Sequence, residues 1–461
     1  MNGSDESVHV LLVSYPAQGH INPLVQFGKR LAAHRGVRCT LAVARSVLGS
    51  GKPPPAPPRR GAFRVVPYSD GCDLAGYDEV GDVHTYLSRL ESAGSRTLDE
   101  LLGSEASQGR PVRVVVYDAF LTWALPVARR RGVPCAAFFT QACAVNIAYA
   151  HALGGEVKLP VGEALAELPG LPGGLEPADV STFLTEQDRS SAYLDLLLQQ
   201  CQGLEMADHV LVNSFHELQA EEAEYMVSRW GAKTVGPTVP SAYLDKRLPD
   251  DSSYDFHLHT PMTAECEAWL DKRPKDSVVY ISFGSHAEPS AEQLAEMAEG
   301  LYNSGKDFLW VVRGSESSKL PEGFVNKAKD RGLVVTWCPQ LEVLMHSAVG
   351  CFVTHCGWNS TTEGLGIGVP MVAMPQWSDQ PMNAKYIEDI WKVGVRARPD
   401  ANGVVRKEEM ERCVREVMEG KKSNEYRKNS ARWRDKAKRA MSEGGSSDRN
   451  IVEFLDEIGF K

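Results

Sequence analysis

The 461-residue sequence has no apolar run approaching the roughly 20 residues needed to cross a bilayer. Its opening stretch, MNGSDESVHVLLVSY, lacks the basic leader of a secretory signal, and its apolar part is short and strand-like. Basic residues are not in excess. The net charge of −10 gives no phosphate-binding face of the kind nucleic acid requires. The ten cysteines stand singly, without a CxxC pair, mostly in apolar runs as at Cys135, Cys143 and Cys351. That usage predicts buried, reduced thiols and a cytoplasmic protein without disulfides. Cys338, Cys351, His355 and Cys356 lie close in sequence, but no second paired spacing closes a tetrahedral zinc set, so no metal is expected. No repeat recurs at a fixed short period. These absences leave a water-soluble globular protein, expected to be monomeric, with small molecules as its partners.

What is present is a recurring β-then-α pattern. Apolar, β-branched runs at Val8–Ser14, Val37–Ala44, Phe63–Pro67, Val112–Tyr117 and Cys135–Phe139 predict strands, with a helix over Pro23–His34. Lys52–Arg60 carries too many prolines for helix or central strand and predicts a surface loop. The pattern restarts after about residue 260. Strands are expected at Ser277–Phe283, Phe308–Val312, Leu333–Trp337, Gly350–Thr354, Val369–Met374 and Val393–Arg398, and a helix at Ala291–Asn303. Charged helices follow over Glu408–Glu419 and Asn424–Met441. Near-continuous apolar strands separated by helices imply parallel sheets covered on both faces. The expected fold is therefore α/β, with two doubly wound Rossmann-like domains facing a central cleft. Thr238–Met262 has three prolines and no periodicity. The expected division is an N-terminal domain over 1–240, a linker over 241–262 and a C-terminal domain over 263–461. The last helix is allowed to return to the first domain.

Ligands of such sheets bind beyond the carboxyl ends of the strands. Four polar signals fall there: Gly19-His20, Asp118, Gly284-Ser285 and the run His355-Cys356-Gly357-Trp358-Asn359-Ser360. The last precedes a helix-like stretch, so a diphosphate placed there would meet helix N–H groups at the positive end of the dipole. Gly357 permits close approach, His355, Asn359 and Ser360 are potential donors, and Glu363 could accept hydrogen bonds from a ribose diol. An ordinary capping box made by Ser360 and Glu363 explains the same residues. His20 near a helix start would stay neutral, as a base must, with Asp118 to orient it. A structural histidine at a turn is the alternative.

The stretch from Trp337 to Gln380, WCPQLEVLMHSAVGCFVTHCGWNSTTEGLGIGVPMVAMPQWSDQ, resembles the 44-residue signature of plant secondary-product UDP-glycosyltransferases. The segments PAQGHINPL, VYDAFLTWA, FFTQ, VNSFHELQ and VVYISFGS extend the resemblance over the chain. It is closest to grass glucosyltransferases for trichothecenes, hormones and phenolics, enzymes of secondary metabolism and detoxification. The resemblance implies the type B glycosyltransferase fold, UDP-glucose as co-substrate and no cofactor. It implies that Trp337 stacks on uracil, Gln340 lies against the uridine and Glu363 holds the ribose. His355, Asn359, Ser360 and Ser285 would hold the diphosphate, with Gly357 giving room. Trp358, Asp379 and Gln380 would face the sugar, the terminal glutamine favouring glucose. His20 and Asp118 would be the catalytic pair of an inverting transfer, giving a β-glucoside and UDP.

For a small lipophilic acceptor, whether trichothecene, phenolic, hormone or terpenoid, the wall residues expected by position are Phe120, Leu121, Phe139, Thr140, Gln141 and Gln202. The reactive group could be a hydroxyl or a carboxyl. Two departures from the usual pattern are Gly364 and Gly366, expected to loosen the helix carrying Glu363, and His286 to Pro289, which bring acidic Glu288 near a diphosphate. A sugar-nucleotide 2-epimerase or a non-catalytic UDP-sugar-binding protein on the same fold are the other readings. An assay of UDP release with and without acceptor separates them.

Overall fold

The computed structural model describes residues 7–49, 62–185, 191–254 and 261–460. The proline-rich stretch Lys52–Arg60 lies outside the described residues. Two compact units are present, Met1–Phe256 with Arg439–Lys461, and His257–Lys438.

The first unit holds strands β1 (Val8–Val13), β2 (Val37–Ala44), β3 (Phe63–Tyr68), β4 (Val114–Asp118), β5 (Cys135–Phe139), β6 (His209–Val212) and β7 (Lys233–Thr234). They form one sheet in the order β3-β2-β1-β4-β5-β6-β7, parallel throughout. The order reverses between β1 and β4. Residues of β1, β4 and β5 are buried along their lengths, as expected of strands covered on both faces.

The second unit repeats the plan with β8 (Val278–Ser282), β9 (Asp307–Val311), β10 (Gly332–Val335), β11 (Val349–Thr354), β12 (Met371–Ala373) and β13 (Gly394–Arg396). Their order is β10-β9-β8-β11-β12-β13, again parallel, and it reverses between β8 and β11. One face of this sheet packs Val279, Ile281, Trp310, Val353 and Val372 against Leu294, Met297 and Leu301 of the helix Ala291–Asn303. The two folds match the doubly wound expectation. All ten cysteines are free and buried.

In the first unit the helix Gln18–Ala32 begins five residues before the predicted Pro23. Pro23 lies in its second turn and His20 inside its first. The helix is braced along its far end. Arg30 makes two bonds to Asp245, at 2.7 and 2.9 Å, and Lys29 bonds Asp251 at 2.9 Å. Gln26 and Lys29 both donate to the Ser253 carbonyl. The stretch from Ser241 to Ser253 is thus tied to this helix by charge. The last helix, Ser446–Glu457, closes against β7, where Asn450 donates to the Thr234 carbonyl at 2.8 Å and Ser447 to that of Gly236 at 2.5 Å.

The Asp245 side chain is fully buried and that of Arg30 is 8% exposed. Burial raises the carboxyl pKa, but the Arg30 hydrogen bonds and charge, with help from Ser241, outweigh it and hold it below the ordinary value. This contribution to stability is present above the unfolded pKa, near ~4, and is lost as pH falls through the lower folded value. Arg30→Ala is expected to cost about 3–5 kcal/mol by leaving Asp245 buried without its counter-ion. Arg30→Met with Asp245→Leu should recover most of it. Urea unfolding checks this, and a loss under ~1 kcal/mol for the single variant would contradict it.

Candidate functional site

The polar residues singled out by sequence gather at the carboxyl edges of the two sheets, each beside a strand-order reversal. In the first unit, His20 follows β1 and Asp118 ends β4. His20 Nδ1 and Asp118 Oδ2 are 2.8 Å apart, and Asp118 is wholly buried. The other carboxylate oxygen accepts from the Phe120 backbone N–H at 3.1 Å. With Nδ1–H directed at a carboxylate, the His20 lone pair lies on Nε2. Thr140 Oγ1 also approaches Nδ1, at 3.3 Å. The imidazole sits in an aromatic wall, with ring centroids 4.6 Å from Phe120 and 5.1 Å from Tyr15. The Tyr15 hydroxyl is hydrogen-bonded to Tyr193.

The predicted acceptor wall divides. Phe120, Thr140 and Gln141 lie by His20 in space or at the end of the adjoining strand. Gln141 is buried with its Oε1 unpartnered. Leu121 and Phe139 are fully buried core residues and offer no surface. Gln202 is exposed at the start of the short helix Gln202–Met206, whose Gly203 packs over Ala137 in the middle of β5. Tyr15 and Tyr193 were missed. Tyr15 follows directly on the apolar β1 run and reads as a core aromatic, and nothing local in the sequence marks Tyr193.

In the second unit, β8 gives way to Gly284 at φ +68°, and β11 to His355, Cys356 at φ +67° and Gly357. A Cβ at Gly284 would come within 2.9 Å of the His355 ring, and one at Gly357 within 2.5 Å. These two glycines make the space that the imidazole occupies. Burial lowers the His355 pKa to about 4 against the opposing pull of the Ser282 backbone, so the ring is neutral near pH 7. Its Nδ1 is buried without a partner.

The helix Trp358–Ile367 starts there with Gly357 as its N-cap. It presents its first-turn N–H groups toward the same turn, where an anion is favoured. It runs unbroken through Gly364 and Gly366. A Cβ at Gly364 would stand 3.0 Å from Met371 Sδ, so that glycine lets the helix lie close on β12.

Ser360 and Glu363 do not form a capping box. Both are held by Gln340, whose Nε2 donates to Ser360 Oγ at 3.0 Å and Glu363 Oε2 at 2.5 Å. Tyr280, from mid-β8, donates to Gln340 Oε1 at 3.0 Å and fixes the amide. Half-buried Trp337 stands just before, past β10, its carbonyl accepting from the Met262 N–H. Asp379 is joined to the turn by Asn383, whose Nδ2 donates both to Asp379 Oδ2, at 2.8 Å, and to the Cys356 carbonyl, at 2.9 Å. Gln380 Oε1 accepts from the N–H groups of Gln376 and Trp377.

Asn359 is half-buried at the helix start and Ser285 half-buried after β8. The Trp358 indole is 4% exposed and packs against Trp391, so its side chain belongs to the core. Glu288 is exposed. Sequence reasoning missed Tyr280 and Asn383, which sit in a strand and a helix and carry no local signal. Cys338 lies against Tyr280, while Cys351 is in the core of the sheet. Among the described residues no three His, Cys, Asp or Glu side chains are grouped to hold a metal ion.

Residues 239–437 match the family model "UDP-glucoronosyl and UDP-glucosyl transferase". UDP-glucosyltransferase UGT13248 of Hordeum vulgare subsp. vulgare is 50% identical over 454 residues, covering 97% of this chain and 94% of that protein. UDP-glycosyltransferase 79 of Oryza sativa subsp. japonica is 50% identical over 452 residues, 96% of each. The crystal structure of Os79 from O. sativa in complex with UDP superposes with a TM-score of 0.90 at 47% identity, over 98% of this chain and 100% of that one. The same protein has been solved with U2F and trichothecene.

The neutral His355 has a consequence for stability. Unfolded, an imidazole titrates near ~6.5, so between there and about 4 the unfolded chain binds the extra proton. Stability should therefore fall as pH drops through that window, and His355→Gln should flatten the slope. Urea unfolding followed at several pH values measures it. Identical slopes for the two proteins would contradict the assignment.

Proposed function

The chain belongs to the UDP-glycosyltransferase family, and we propose that it moves glucose from UDP-glucose to a hydroxyl of a compact, mostly apolar acceptor of the trichothecene type, releasing UDP and a β-glucoside. The observation that carries the chemistry is the 2.8 Å contact between His20 and buried Asp118. Asp118 keeps the ring in the tautomer whose Nε2 can take a proton. The acceptor O–H loses its proton to Nε2, and the oxygen attacks the anomeric carbon as the bond to the β-phosphate oxygen breaks. Both Asp118 oxygens are engaged, by His20 and by the Phe120 N–H, so this carboxylate is not free to act as a nucleophile. A single displacement with inversion follows.

On the donor side, Trp337, Gln340 and Glu363 suit the uridine. The start of the Trp358–Ile367 helix with His355, Asn359, Ser360 and Ser285 suits the diphosphate, and Asp379 and Gln380 the sugar. Trp358 contributes through its backbone, since its indole is in the core. The unpartnered Nδ1 of His355 supports a bound polar ligand at this turn. Charge at the phosphates is met by N–H groups and a helix terminus, so we expect metal-independent turnover. For the acceptor, the wall of Tyr15, Phe120 and Tyr193 favours an apolar body. The buried Oε1 of Gln141 favours a second hydroxyl over a carboxylate, because it can only accept. The rice relative solved with a trichothecene supports the same choice.

His20→Ala is expected to lower turnover on a hydroxyl acceptor by roughly 10²–10⁴-fold while UDP binding survives. Near-normal turnover would remove His20 from the role. In competition at equal concentration, UDP-glucose should be preferred over UDP-galactose and UDP-glucuronate, and EDTA should leave the rate unchanged. Preference for either other donor, or restoration by Mn²⁺ after EDTA, would contradict the donor-site assignment. UDP release that depends on acceptor distinguishes transfer from epimerisation.

A further inference from the structure

The loop that leaves β8 carries Ser285, and its carbonyls are held from the side by a cation pair on the next strand connection. Arg313, two residues beyond β9, donates from Nη1 to the Ser285 carbonyl and from Nη2 to the Ala287 carbonyl, the latter at 2.5 Å. Lys319, at the end of the short helix Gly314–Lys319, approaches the Pro289 carbonyl at 3.4 Å. Glu316 lies between the two cations, 2.6 Å from Lys319 Nζ and 3.8 Å from Arg313 Nη2, with its side chain only 8% exposed. Three alternate carbonyls are therefore held by one charge cluster, with Arg313 and Glu316 the more buried members and Lys319 partly exposed. None of the three has a backbone partner among the described residues.

We propose that Arg313 is a positioning residue for the UDP-sugar, setting the Ser285–Pro289 loop against the diphosphate. In a trans peptide the C=O and N–H point opposite ways. Turning the Ser285 and Ala287 carbonyls onto the guanidinium turns the N–H groups of His286 and Glu288 away from it. Gly284 enters this loop at φ +68°, a conformation glycine reaches without steric cost, and the clamp holds the carbonyls that follow. A guanidinium spans two carbonyls in one rigid plane, which an ammonium cannot do. Ala287 is itself buried in the core of the second unit, so the clamp joins the loop to the sheet on one side only.

The inference rests on the donor reading above, and the experiment separates the two. Calorimetric UDP binding and steady-state kinetics are compared for the full-length protein, Arg313→Gln, Arg313→Lys and Lys319→Met. Arg313→Gln should raise the Kd for UDP and the KM for UDP-glucose by about tenfold or more, leaving the acceptor KM within about twofold. Arg313→Lys should recover only part of the loss, and Lys319→Met should show a smaller effect in the same direction. A folded Arg313→Gln protein with normal UDP affinity, or equal losses for donor and acceptor, would overturn the proposal. Should that variant not fold, unchanged UDP affinity in Arg313→Lys overturns it and a selective donor defect supports it. Failure of the unaltered protein to bind UDP would instead defeat the donor reading.

Discussion

Parallel pairing is the constraint from which the rest follows. Every described strand pair in both sheets is parallel, so each connection must cross back over a face, and every strand delivers its carboxyl end to the same edge. Where the strand order reverses, the two flanking connections leave toward opposite faces and open a crevice. His20 and Asp118 flank the reversal between β1 and β4, and Ser285 and His355 that between β8 and β11. His20 and Asp118, 98 residues apart in sequence, meet for this reason. No local motif could join them.

The two edges use electrostatics differently. At the first, a buried carboxylate confers tautomer and orientation on one imidazole at a helix start. At the second, the turn from His355 to Ser360 carries no Lys or Arg. His355 is neutral, the glycines on either side of it exist to house its ring, and binding capacity lies in N–H groups and amides arranged by Gln340, Tyr280 and Asn383. Such a site can hold an anion without raising the net charge of an acidic protein. Its cost is dependence on placement, since a dipole displaced by an ångström loses more than a charge does.

Strong periodic runs made the fold legible. β1 to β5 and β8 to β13 fall on predicted runs within a few residues, because strands covered on both faces are apolar throughout. β6 has four residues and β7 two, too short to show a period, and both escaped. Proline suits the first turn of a helix, so Pro23 predicts a start five residues late; the helix begins at Gln18 and carries the proline in its second turn. Site residues named by position at strand ends lie where expected. Leu121 and Phe139, expected at the acceptor wall, and the Trp358 indole, assigned to the sugar by resemblance, are core, since the side chain that packs a sheet and the side chain that lines a pocket look alike in a string of letters. The residues missed altogether act through hydrogen bonds across elements, which only the folded chain reveals.

The account's central claim is that one displacement occurs at the anomeric carbon, with His20 taking a proton and no protein group forming a bond to the sugar. The measurement that addresses it most directly is the anomeric configuration of the first-formed product, read by NMR from UDP-α-glucose and a hydroxyl acceptor. A β-glucoside is the predicted result. An α-glucoside, which requires two displacements or a front-side path, would contradict the account.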